Sequence, residues 1–186
     1  MISEQDKKRL LKLARESILT SFSNENPDTV GIEKFSEKQG VFVTLHKNKQ
    51  LRGCIGFPEP VYPLNKAIVD AGRAAAFDDP RFPPLNKTEL DEVEIEISVL
   101  SVPELIKVNT PEEYKTKIKI GRDGLIIRNA YGSGLLLPQV PIEWGWDVEQ
   151  FLKQICHKAA LPEDAWKNTD SKLYRFEAEI FSEKET

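Results

Sequence analysis

Cysteine and histidine, the side chains most used for nucleophilic and metal chemistry, are scarce in this sequence, with two of each among 186 residues. Cys54 and Cys156 lie about a hundred residues apart, too far for a small disulfide framework. With His46 and His157 they lack the compact ligand spacing of a zinc site, so no metal is assigned, although the abundant, unpatterned carboxylates leave a site for a harder metal open. No apolar run approaches the roughly 18 residues of a membrane span. The opening stretch MISEQDKKRLLKLARES is charged throughout, without the apolar core of a secretory signal. A soluble, cytoplasmic protein with reduced thiols is expected. A basic stripe is lacking too: the net charge is −4, the isoelectric point is about 5.4, and lysines are interleaved with acids in segments such as ELDEVEIE. That balance argues against nucleic acid as a partner. Neither GSGLLLP, without its lysine, nor the ordinary turn GRDG makes a phosphate loop.

What is present reads as one domain with a substantial core, since hydrophobic residues make up 40% and charged residues 30% of the chain. Leu10, Leu11, Ala14, Ile18 and Phe22 recur at helical spacing after an N-cap at Ser3, and the NENPD stretch closes that helix. VFVTLH and LRGCIGF, separated by KNKQ, predict a hairpin. Pro63 opens a second helix with its stripe on Leu64, Ile68, Ala71 and Ala75. DDPRFPPL carries three prolines in five residues and cannot continue it, so Asp79 and Arg81 sit on a stiff loop. VEIEISVLS alternates as a strand. Thr110 to about Lys117 predicts a short capped helix, and KIKIGRDGLIIRNAYGSGLLLPQV a meander broken at RDG and YGSG. Asp147 with Gln150 caps a last helix, and LYRFEAEIF predicts a final strand. Helices mixed with antiparallel strands, without regular βαβ order or an internal repeat, define an α+β class.

Cys54 raises the question of catalysis. A thiolate needs a depressed pKa, and period-two geometry puts Arg52 on its face of the strand as a candidate cation, with Leu51, Gly53, Ile55 and Phe57 on the other. No local base accompanies it, because His46 pairs near Leu51. The alternative is a small side chain filling a crowded strand. Gly53 and Gly56 mark either the close approach of a ligand or tight packing of a helix over the sheet. Trp166 reads as a packing anchor. Trp144 and Trp146, beside Glu143, read equally as anchors or as a stacking surface.

LRGCIG, DPRFPPL, DGLII, LLLPQV and the run from Glu143 to Trp146 together closely resemble the AMMECR domain family, over nearly the whole chain. The resemblance implies a single domain over residues 1–186, of two unequal lobes around a mainly antiparallel sheet, with no internal boundary assigned. It implies no established activity, and the cofactor is unknown. In prokaryotes the family is grouped with Memo-like proteins and radical S-adenosylmethionine proteins, which makes these the candidate partners in a modification pathway. The motif positions carried over are Arg52, Gly53, Cys54 and Gly56; Asp79, Arg81 and Phe82; Pro138; and Glu143.

Three functions are therefore open. In the first, the protein is a binding or accessory component with a cleft of Gly53, Gly56, Phe82, Pro138 and Gln139. In the second, it is a small enzyme with Cys54 as nucleophile, Arg52 or Arg81 stabilising an anion, and Asp79 or Glu143 as general acid or base. In the third, every motif serves the fold.

Overall fold

The structure, a computed structural model, describes residues 2–23, 25–29 and 31–184. Asn24 of the NENPD stretch lies outside them. The chain falls into two compact units, Met1–Leu100 with Glu179–Thr186, and Ser101–Ala178.

In the first unit, helix α1 (Glu4–Ser21) starts where the Ser3 hydroxyl accepts the Asp6 amide at 3.3 Å. Strands β1 (Gly40–Lys47) and β2 (Gln50–Phe57) form the hairpin. Its turn is tighter than KNKQ suggests, with only Asn48 and Lys49 between the strands. Both have positive φ, 52° and 64°, the backbone that matches the twist of paired strands. Helix α2 (Leu64–Phe77) and strand β3 (Val93–Leu100) follow. Leu10, Ile18, Val43, Leu45, Ile68, Ala71, Ile95 and Ile97 are fully buried in one core, as the helical and alternating patterns require.

The second unit holds the two-residue strand β4 (Glu104–Leu105), the short helix α3 (Tyr114–Lys117), the hairpin β5 (Gly124–Asn129) and β6 (Gly132–Leu136), helices α4 (Val140–Glu143) and α5 (Val148–Lys158), and strand β7 (Lys172–Phe176). Its core gathers Leu125, Ile127, Phe151, Ile155, Cys156, Trp166 and Leu173. Strand β8 (Ala178–Ser182) ends the fold.

The two sheets are antiparallel and four-stranded, in the orders β2-β1-β3-β8 and β4-β7-β5-β6. Each unit thus repeats one plan: a hairpin, a helix, then a strand that pairs with the first hairpin strand and leaves the second at the edge. The fourth strand of each sheet comes from the segment that follows the other unit's last strand. Among the described residues no helix is long and apolar enough to cross a membrane.

Two sequence expectations change. KIKI is not a strand. Ile118 and Ile120 join the second core from a turn in which the Lys119 amide donates to the Asp123 carboxylate at 2.8 Å and the Asp123 amide to the Lys119 carbonyl at 3.0 Å. LYRFEAEIF is two strands in different sheets, broken at Glu177. There the Glu177 amide donates to Ser101 Oγ, and the Ser101 amide to the Glu177 carbonyl, both at 2.9 Å.

Candidate functional site

Strand β2 is a sheet edge, so its outward backbone groups need partners. Thr44 lies opposite Cys54, and their side chains meet on the outer face, where the Thr44 hydroxyl donates to Sγ at 3.3 Å. The Cys54 amide and carbonyl point away from β1, into the DPRFPP loop. The amide donates to Asp79 Oδ2 at 2.9 Å, and the carbonyl accepts from Arg81 Nη2 at 3.3 Å. Asp79 and Arg81 are themselves joined: Oδ1 accepts the Arg81 amide at 3.1 Å and Nε at 3.0 Å, and Oδ2 accepts Nη2 at 2.7 Å. The loop is tied back to α2 by the Leu85 amide on the Ala76 carbonyl at 2.8 Å. An aspartate and an arginine two residues apart therefore stand in for the missing neighbour strand.

Asp79 is 4% exposed, and its carboxylate accepts four N–H groups. The Arg81 guanidinium, helped by the Cys54 and Arg81 amides, holds its pKa far below the usual carboxylate range against the opposing cost of burial. As a general acid it has no proton to give near neutral pH, and as a base it is too weak. In this arrangement Asp79 is a charged clamp between the loop and the β2 edge.

Arg52 departs from its expected place. Leu45 pairs with Gly53 and His46 with Leu51, so Arg52 is the extra residue of a β-bulge. Its Nε and Nη2 donate to the Glu89 carboxylate at 2.8 and 3.0 Å, and Nη2 also to the Pro83 carbonyl at 2.9 Å. The cation that acts on the Cys54 thiol is Arg81 instead. Burial outweighs it and pushes the thiol pKa above its ordinary value, as do the nearby charges of Asp79 and Glu96. Alkylation of Cys54 by iodoacetamide, followed site by site with mass spectrometry, is expected to be slower near neutral pH than that of an unstructured thiol. It should accelerate only above about pH 8.5, where an ordinary thiol ionises. A rate at neutral pH equal to or above the free thiol's would restore the nucleophile.

The glycines of the motif are filled by the protein itself. A β-carbon built on Gly53 would fall 2.2 Å from the Ala75 carbonyl oxygen on α2, and one on Gly56 2.2 Å from the Val41 carbonyl oxygen and 2.5 Å from the Phe42 ring. Helix-over-sheet packing is therefore the reason for Gly53, and cover by a cross-strand aromatic the reason for Gly56. Close packing, one of the two readings open from the sequence, accounts for the contacts at both glycines. Phe82 is half-buried, with the guanidinium carbons of Arg52 and Arg81 at 5.8 and 5.5 Å from its ring centre, within cation–π range.

The first unit thus brings together Arg52, Gly53, Cys54, Gly56, Asp79, Arg81 and Phe82. Pro138, Gln139 and Glu143 belong to the second unit: Pro138 is buried, Gln139 precedes α4, and Glu143 ends it, exposed. Cys156 and Trp166 are core residues, Trp166 as its reading as a packing anchor predicts, while Trp144 is 70% exposed. Sequence reasoning missed Glu89, whose carboxylate is held below its ordinary pKa chiefly by Arg52 and also pairs with Lys47 at 3.3 Å. Nothing near residue 89 signals a partner 37 positions away.

The sequence model of the AMMECR1 family matches residues 11–181. A protein of Thermococcus onnurineus is 55% identical over 183 residues, covering 94% of this chain and 88% of its own. Protein MJ0810 of Methanocaldococcus jannaschii is 57% identical over 155 residues, covering 82% and 77%. The crystal structure of uncharacterized protein PH0010 from Pyrococcus horikoshii matches with a TM-score of 0.92 at 47% identity, over 99% of this chain and 94% of that one. With the match running from the first helix to the last strand, the chain belongs to the AMMECR1 family.

Proposed function

We propose that the protein is a binding component without covalent chemistry of its own, and that the β2 edge with the DPRFPP loop is its recognition face. One observation carries this reading: the polar groups a catalyst would need are already committed inside the protein. Asp79 is saturated by four N–H donors, Arg52 is held by Glu89 and the Pro83 carbonyl, and the Cys54 thiol is biased to its neutral form. Apart from Arg52 Nη1, buried without a hydrogen-bond partner among the described residues, the network is closed and holds its outer atoms still, which lowers the entropic cost of docking. Arg81 supplies the outer surface, with its side chain 53% exposed beside the Phe82 ring. Guanidinium on an aromatic backing suits a carboxylate or phosphate group of a partner.

The partner class follows from the family resemblance: a Memo-like protein and a radical S-adenosylmethionine protein. Co-purification of the tagged full chain with both, with S-adenosylmethionine present, is expected to give a complex. Phe82→Ala should weaken that complex while the protein keeps its unfolding free energy within about 1 kcal/mol. Absence of any complex, or a Phe82→Ala protein that binds as well as the original, would sink the proposal.

A further inference from the structure

A second exposed apolar surface lies in the other unit, on the turn that follows α4. Helix α4 ends at Ile142-Glu143 with Trp144 as its C-cap, and Gly145 follows with a φ of +65° and no atom within 4 Å of where a β-carbon would stand. The Gly145 amide donates to the Ile142 carbonyl at 3.1 Å and the Trp146 amide to the Pro141 carbonyl at 2.8 Å, which turns the chain back on itself. The two indoles then lie nearly parallel, 19° apart, with ring centres separated by 6.1 Å. Immediately after, Asp147 and Gln150 close the capping box that opens α5. The pair is therefore pinned at both ends. Yet Trp144 is 70% exposed and Ile142 61% exposed. Two large apolar side chains held out on a fixed turn are unusual on a free surface and typical of an interface centre.

Charge decides what fits there. From residue 129 to residue 152 the chain has no lysine or arginine, and three acids, Glu143, Asp147 and Glu149. Glu149 is paired with Lys115 at 2.9 Å, and the Asp147 carboxylate accepts the Gln150 amide at 2.8 Å. Glu143, exposed beside Trp144, makes no ion pair among the described residues. Ile142 Cδ1 leans over the turn at Gly121, and the arginine next to that glycine, Arg122, is already bound to Asp123 at 2.6 Å. An exposed indole and an unpaired carboxylate one residue apart offer a planar guanidinium a ring to stack on and oxygens for its N–H fork.

We propose that Trp144 and Glu143 form a docking point for an arginine side chain of a partner protein, with Ile142 receiving an apolar residue beside that arginine. The test uses the isotope-labelled full chain and the capped tripeptide leucine-arginine-leucine as probe, followed through the three tryptophan indole N–H signals. Trp166, 1% exposed, is the internal control. The Trp144 and Trp146 signals are expected to shift saturably within about 10 mM peptide while that of Trp166 stays fixed. Glu143→Gln should weaken binding about 2- to 5-fold, and the lysine counterpart of the peptide should bind more weakly than the arginine form. Trp144→Ala should abolish the Trp146 shift.

An equal response to a norleucine peptide, or no saturable shift, would overturn the proposal. So would tighter binding of a short oligothymidylate. Indole signals that move with protein concentration alone, and cease to do so in Trp144→Ala, would assign the face to a second copy of the chain and overturn it as well.

Discussion

Gly53→Ala is expected to destabilise the protein by about 3 kcal/mol, the upper end of the usual cost of overpacking a core. The added carbon would sit 2.2 Å from the Ala75 carbonyl oxygen and 3.2 Å from its carbonyl carbon, both backbone atoms that no rotamer change can remove. Relief requires moving α2 off β2. That helix buries Leu64, Ala67, Ile68, Ala71, Gly72, Ala75 and Ala76, and its Gly72 is already close to Ser17 and Ala14 of α1. A shift at one contact is therefore transmitted to the next. Cys54→Ala, one residue on, removes a half-buried thiol and its bond from Thr44, and should cost under about 1 kcal/mol. Urea unfolding of the two variants side by side measures the contrast. If Cys54→Ala proves the more damaging, the motif exists for its sulfur and not for its packing.

Asp79→Ala should cost about 2–3 kcal/mol. Removing one partner of a buried pair can cost more, about 3–5 kcal/mol, but Arg81 is half-exposed and can recover water. What remains is the loss of the carboxylate from the Cys54 and Arg81 amides on a sheet edge. Asp79→Asn keeps the shape without the charge and gives the sign of the pH dependence. The native pKa of Asp79 lies below its unfolded value of about 3.9, so the folded state favours the ionised form. Its contribution is complete above about pH 5 and is lost as pH falls from about 4 toward the native pKa. The stability gap between the original protein and Asp79→Asn should be constant from neutral pH to about pH 5 and narrow below about pH 4. A gap that widens in acid would mean that the carboxylate is strained by its site and not stabilised by Arg81.

Much of the fold was legible because its signals are local. The caps at Ser3, Thr110 and Asp147 stand where helices begin, and the alternation in VEIEISVLS became β3. Period-two geometry also placed Gly53 on the core side of β2, beside Leu45, and Cys54 on the outer side, beside Thr44. It failed at Arg52, because a bulge depends on how the partner strand is registered and leaves no mark in one strand read alone. It failed again in LYRFEAEIF, where unbroken alternation conceals a change of sheet at Glu177.

By itself, the sequence determined the class of the protein, most of its helices and strands, the stiffness of the loop that carries Asp79 and Arg81, and the family motifs. Periodicity, capping residues and prolines act within a turn or two of chain, so a single strand of text records them. Only the tertiary structure decided what those motifs do. That Asp79 and Arg81 replace a missing strand, that Glu89 takes Arg52, that α2 fills the space over Gly53, and that each sheet takes its fourth strand from beyond the other unit's last strand all depend on partners tens of residues apart. Such contacts are set by which surfaces meet when the core closes, and local sequence carries no trace of that choice.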